Sequence, residues 1–218
     1  MKLRWLLFLV TIPIVSAQTL TYAINWPSGL SLGETSLTSQ ASGEGMEYRM
    51  VIQIGFPGIP IRDEYVSKVN AQGCSMEFTK EAQHGARKIH EKLTFNGVGG
   101  MKRETPGGGG VSNVSVPNCA YDALAYLFFV RKELAQGRMP SSGTAIFGAQ
   151  YQVSVMSAGA QQIMLGSERV EADRYASKVK GPASEQNFEM FFLRDAARTP
   201  ALVKIQFPVG TFSMELVR

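Results

Sequence analysis

Residues 118–137 read NCAYDALAYLFFVRKELAQG. This is the one long stretch of the chain with helical periodicity, and its reading decides the architecture. Asn118 follows Pro117 and suits an N-cap, whose side chain accepts from the first free helix amides. Asp122 lies early, where a negative charge meets the positive end of the helix dipole, while Arg131 and Lys132 lie late, where cations are favoured. Gly137 can terminate the helix. The pattern therefore predicts a helix over 119–136. Tyr121, Leu124, Ala125 and Phe128 fall on one stripe at helical spacing, and Leu127 and Val130 widen it. So broad an apolar surface implies a helix largely enclosed by other structure.

What encloses it is legible on both sides. Leu20, Tyr22, Ile24 and Trp26 alternate with smaller or polar residues, as do Met46, Tyr48, Met50, Ile52 and Ile54. Period two marks strands with one buried face. CSMEF brings Cys74, Met76 and Phe78 together, and RKIHEKLTF brings Ile89, Leu93 and Phe95 together. After the helix, Phe147, Ala149, Tyr151, Val153 and Val155 continue the pattern, FEMFF is apolar on both faces, and ALVKIQF and GTFSMELV close the chain. MKRETPGGGG reads as a Gly-rich mobile loop, costly to order. Short connections such as DAARTP, where Asp195 can cap the turn, suit antiparallel neighbours. The expectation is a mainly β fold: a strongly curved antiparallel sheet or barrel-like domain of about ten strands, wrapped around one principal helix.

The N-terminus, MKLRWLLFLVTIPIVSAQTL, has Lys2 and Arg4 before an apolar run from Trp5 to Val15, then Val15-Ser16-Ala17. That is the layout of a secretory signal peptide, cut between Ala17 and Gln18. The run is short of the roughly 20 residues of a spanning helix, and no later segment is long enough. The expected organisation is a signal peptide over 1–17 and a single mainly β domain over 18–218, exported to the periplasm or secreted, with no transmembrane span in the mature chain. Removing Lys2 and Arg4 lowers the formal charge from +4 to +2. The remaining basic residues are scattered, which argues against nucleic acid as a partner. In an oxidising compartment the only two cysteines, Cys74 and Cys119, are expected to form a disulfide.

No catalytic set assembles. His84 and His90 are the only histidines, with no close metal-ligand spacing, and no nucleophile elbow or phosphate loop is present. Ser177-Lys178-Val179-Lys180 fits a Ser-x-x-Lys pattern without its companion motifs and is read as chance. The expectation is a non-enzyme without cofactor or metal. Two readings of the interior stay open: the helix fills the curved sheet, or helix and sheet leave a gap lined by Tyr121, Phe128 and strand aromatics such as Tyr151, with Arg131 or Arg198 at the rim facing an anionic head group.

Three segments resemble one bacterial exported family, domain of unknown function 3108. CAYDALAYLFFVRKELAQGRMP is similar to its D-x-L-S/A-x-x-Y/F-x-x-R helix, FFLRDAARTPALVKIQFPVGTFSMELV to its closing hairpin, and INWPSGLSLGE to its opening strands. The cysteine pair is not part of the general family pattern. The resemblance implies a predominantly β, barrel-like or half-barrel domain of the cell envelope, without an established activity. A likeness to periplasmic lipid carriers is an analogy of fold. The functional expectation is a non-catalytic envelope protein binding an apolar or amphipathic, lipid-like molecule. The alternative is a structural or protein-interaction module with a filled core, meeting an envelope protein partner, and the third is a hydrolase with an unrecognised site.

Overall fold

A computed structural model describes residues 17–56, 59–208 and 210–217. The expected leader, but for Ala17, lies outside the described residues. Among the described residues, fifteen strands form one sheet around a single helix. In chain order they are β1 Gln18–Asn25, β2 Ser31–Ser42, β3 Gly45–Phe56, β4 Ile59–Val69, β5 Ser75–His84, β6 Arg87–Phe95, β7 Gly100–Thr105, β8 Gly110–Ser115 and β9 Tyr121–Asp122. The helix α1 Ala123–Ala135 follows, then β10 Gly143–Phe147, β11 Ala149–Leu165, β12 Glu168–Lys180, β13 Glu185–Leu193, β14 Pro200–Phe207 and β15 Gly210–Leu216. The spatial order runs from β8 back to β1, then from β15 back to β9. Each hairpin therefore lays its strands side by side, and β1 pairs with β15 to join the two halves. The large curved sheet is open rather than closed into a barrel, and it holds fifteen strands, not about ten.

The undercount has physical causes. In β2, SLGETSLTSQAS, the inward residues include Thr35, and small hydroxyl side chains dilute the alternation. MKRETPGGGG is not a loop: β7 and β8 pair from Gly100↔Ser115 to Thr105↔Gly110, and only its glycine-rich tip turns. The phase also slips in β5. Met76 is 43% exposed and Ser75 only 2% exposed, because Ser75 turns inward to a buried carboxylate.

That carboxylate is Asp122. The helix begins at Ala123, and Asp122, not Asn118, is its N-cap: Oδ1 accepts from the amides of Leu124 (2.9 Å) and Ala125 (3.0 Å). Oδ2 accepts from Ser67 Oγ of β4 (2.6 Å) and Ser75 Oγ of β5 (2.7 Å), and the Asp122 amide donates back to Ser75 Oγ (2.7 Å). Asp122 is 0% exposed. Burial pushes its carboxyl up, against the downward pull of four donated hydrogen bonds. Beside it, Cys74 and Cys119 form a disulfide with Cα atoms 5.0 Å apart, and the Ser75 amide donates to the Ala120 carbonyl (2.9 Å). The last strand of the sheet is thus fastened onto β4 and β5, ten and eleven places away in the strand order. At the other end, α1 stops one residue earlier than the periodicity implies. Gly137, at φ 70°, donates to Leu134, and Arg138 donates to Glu133, closing the last turn in a Schellman motif.

The helix is apolar nearly all round and buries two opposite faces. Leu124, Leu127 and Phe128 meet a large cluster that includes Tyr22, Leu37, Phe78 and Leu93. Tyr126, Val130 and Leu134 meet a smaller one that includes Val153, Val155, Tyr175 and Phe192.

Reduction of the Cys74–Cys119 bond, which spans 45 residues, is expected to lower the unfolding free energy by about 4 kcal/mol on the chain-entropy treatment. Urea titration with and without reductant measures this, and coincident curves would contradict it. Asp122→Ala orphans two hydroxyls and two helix amides and should cost about 3 kcal/mol or more, Asp122→Asn less. The folded state holds the Asp122 proton more tightly than the unfolded chain. Stability of the native protein relative to Asp122→Asn should therefore fall as pH rises from the ordinary carboxylate range through the raised folded value. A difference that stays flat, or grows, over that range counts against the burial argument.

Candidate functional site

Between α1 and the concave face of β10–β13 the packing is incomplete. A pocket of about 380 Å³ opens there. On the helix side it is bounded by Ala123, Tyr126, Leu127 and Val130, one face over two turns. On the sheet side, Val153 and Val155 of β11, Ser177 and Val179 of β12 and Phe188 and Met190 of β13 each point inward at every second position. The register places these residues beside one another, with Val153 opposite Val179 and Val155 opposite Ser177, which in turn lies opposite Phe188. Tyr151 and Phe147 complete the rim near the β10–β11 turn, where Gly148 takes φ 70°.

Polar groups are few on these walls. The Tyr126 hydroxyl is already engaged, donating to the Ser141 carbonyl at 3.2 Å, and Gln186 Nε2 donates to the Gln206 carbonyl. Among the described residues no lysine, arginine, histidine or carboxylate lines the pocket. Apolar walls with isolated polar points are the usual character of small-molecule sites.

The residues marked by sequence separate into three places. Tyr151 lines this apolar pocket. Tyr121 and Phe128 line a different, more polar one of about 530 Å³, shared with Glu44, Asn70, Lys132 and Arg138. There Phe128 stacks on Tyr48 with ring centroids 3.8 Å apart, and Tyr121 stacks on Phe129 at 4.9 Å. A helix turns by a third of a circle every residue or so, and the broad stripe covered two separate faces rather than one.

Arg131 and Arg198 are not at the pocket mouth. Arg131 is 6% exposed, donates to Gln18 Oε1 and the Ala197 carbonyl at 3.3 Å each, and covers the Phe128 ring at 5.0 Å. Burial pulls its pKa below the ordinary guanidinium value, with the fields of Tyr22, Asp195 and Tyr48 acting the other way. Arg198 is committed to Asp173 at 2.6 Å from a turn in which Asp195 accepts from the Thr199 amide (2.8 Å) and hydroxyl (2.6 Å). His84 contacts Asp63 at 2.9 Å and His90 contacts Glu81 at 3.4 Å, each on the strand surface. Among the described residues no group of three or more metal-ligating side chains comes together.

The pocket-lining residues of β12 and β13 were missed as a site. Their signal was present: Tyr175, Ser177 and Val179 alternate with Arg174, Ala176, Lys178 and Lys180. The same alternation puts Ser177 and Lys180 on opposite faces, so the Ser-x-x-Lys pattern brings no lysine to the serine.

The fold is similar to that of a crystal structure described as a beta-barrel-like protein of domain of unknown function DUF1849 from Brucella abortus, with a TM-score of 0.65. The superposition covers 95% of this chain and 98% of that one, at 8% sequence identity, so the likeness is one of fold. No curated protein matches the chain. Among the described residues no helix is long and apolar enough to cross a membrane. An Asp-capped apolar helix held by a long run of antiparallel hairpins accounts for nearly the whole chain, and over that same span, residues 20–217, it matches the model of the family described as protein of unknown function (DUF3108), to which the chain belongs.

Proposed function

We propose that this is an exported cell-envelope protein, a single mainly β domain over 18–218 after removal of residues 1–17, that carries an apolar or amphipathic, lipid-like molecule between its curved sheet and α1. The observation that carries this reading is the 380 Å³ pocket with apolar walls. Its size lies within the range of small-molecule sites. Each methylene moved from water into such a space contributes about 0.8 kcal/mol. Binding is by enclosure, without a chemical step. The disulfide is consistent with an oxidising compartment.

A second reading, an interaction module of the envelope, is favoured by one observation. β8 is the outermost strand at one end of the sheet, and Gly110–Asn113 are exposed along it. Such an edge can accept a strand from a partner.

The protein purified from its own envelope without detergent should release a lipid-like molecule on solvent extraction, identified by mass spectrometry at near one per chain. Val179→Trp, which fills the pocket, should abolish that release while the protein keeps its cooperative unfolding. Extracts with no such molecule, or equal amounts from the filled variant, would overturn carriage in this pocket.

A further inference from the structure

In the sheet β2, β1, β15 and β14 lie side by side, and the turns of their two hairpins fall at the same end. Residues 25–33, NWPSGLSLG, carry no charge, and neither do residues 205–213, IQFPVGTFS. On the next hairpin Ile54 pairs with Ile61 and Gly55 with Pro60, again without a charge. The first two turns are packed against each other. Trp26 meets Phe212 edge-on with ring centroids 4.8 Å apart, and Phe207 meets Phe212 at 5.3 Å. Gly210, at φ 128°, leaves no room for a side chain beside Pro27. The Trp26 amide donates to the Leu30 carbonyl and the Gly29 amide to the Trp26 carbonyl, each at 2.8 Å, which fixes the β1–β2 turn. Even so, Leu30 is 66% exposed and Phe207 46% exposed. A rigid rim thus holds large apolar side chains out in water, where their exposure is unfavourable.

The chemistry of this rim fits a lipid surface. Uncharged tips bearing aromatic rings suit the boundary between headgroups and acyl chains, where such rings gather. Behind the tips the charge is mainly positive. Across the eight adjacent strands from β4 to β12, the charged residues within three positions of the strand ends are Arg62, Lys178, Lys180 and Lys204 against Glu34 and Glu185. A neutral edge backed by a cationic excess complements the acyl boundary and the phosphate layer above it, which long basic side chains can reach. A protein partner fits less well, because two tips of a few residues each fall short of the roughly 20 to 30 residues per side of a stable interface. The pocket rim lies at this end too. Gln186, which lines it, donates to the Gln206 carbonyl beside Phe207, and the Tyr151 ring packs over Gly181 of the β12–β13 turn.

We infer that the tips of the β1–β2 and β14–β15 hairpins form a docking surface for a lipid bilayer, entering its headgroup layer with Trp26, Leu30 and Phe207. The docking goes beyond the carriage reading and does not need it. Where the two are joined, a step that rests on that reading, the docked rim turns the pocket toward the membrane that supplies the lipid-like molecule.

Trp5 belongs to the expected leader, so Trp26 is the only tryptophan in residues 18–218 and reports on the tip itself. The protein purified from its own envelope is mixed with phosphatidylcholine–phosphatidylglycerol vesicles, and binding is read by co-sedimentation and by tryptophan emission. The expected result is sedimentation with the vesicles, a blue shift of the emission and quenching by lipids brominated in the upper acyl chain. The double variant Leu30→Ser, Phe207→Ser should bind at least about tenfold more weakly while keeping its cooperative unfolding. Met164→Ser, at an exposed position by the β11–β12 turn at the opposite end of the sheet, should bind like the native protein. Absence of sedimentation, sedimentation with unchanged emission, or equal binding by the double variant overturns the docking. So does self-association that the double variant abolishes in a protein that ignores vesicles, which makes the tips a contact between copies. A lipid-like molecule extracted from a protein that ignores vesicles overturns docking alone, and docking by a protein that yields no such molecule overturns carriage alone.

Discussion

One buried carboxylate fastens the start of α1 and the last strand of the sheet to β4 and β5. Asp122 satisfies two amides at the start of α1 and two serine hydroxyls from β4 and β5. Removing a carboxylate from water costs several kcal/mol unless its lone pairs are met. Here each oxygen accepts two hydrogen bonds, and charge-assisted bonds of this kind are the stronger sort. The arrangement is conditional on geometry: it exists only if the helix starts at Ala123, if Ser75 turns inward, and if β9 lies against β5. The neighbouring disulfide and the Ser75–Ala120 backbone bond make the same demand. A covalent bond, side-chain hydrogen bonds and a backbone bond thus coincide at one point, the junction between the strands before the helix and those after it.

With its N-terminus pinned there, the helix runs between the two halves of the sheet, and the halves treat it differently. Toward β2–β6, Phe128 stacks on Tyr48 and Leu124 joins the larger core cluster, beside the more polar pocket. Toward β10–β13 the wall mixes Val153, Val155 and Val179 with Tyr151, Phe188 and Met190, set against Ala123, Tyr126, Leu127 and Val130 of α1. These side chains line the space between sheet and helix without filling it. A void bounded by atoms on one side only forfeits dispersion contacts, which the proposed apolar ligand would restore. The pocket is thus the space that the fixed helix position leaves against one half of the sheet.

Much of this was legible in the residues. The apolar helix, the enclosing β fold, the Asp195 turn and the period-two faces of β1, β3 and β6 follow from local pattern, because strand and helix periodicities are set by backbone geometry. Strands rich in serine, threonine and glycine, such as β2, β7 and β8, were illegible because alternation carries information only where one face is markedly more apolar. The helix start was misplaced by the same logic. Asn118 and Asp122 are both good caps, and what selects Asp122 is a pair of hydroxyls 47 and 55 residues earlier in the chain. Of the marked aromatic residues, Tyr151 lines the apolar pocket, whereas Tyr121 and Phe128 face another, since a stripe on a helix does not say which sheet residues will meet it.

The amino-acid sequence by itself determined that these residues make a mainly β fold around one apolar helix, within a family recognisable from its helix and closing hairpin, because those features depend on neighbours a few positions apart. Tertiary structure alone decided that the sheet has fifteen strands and stays open, that Asp122 sits against Ser67 and Ser75, and that Arg131 is buried away from the pocket. Each of these depends on which distant strands meet and on the volume left between them, and neither quantity is a local property of the chain.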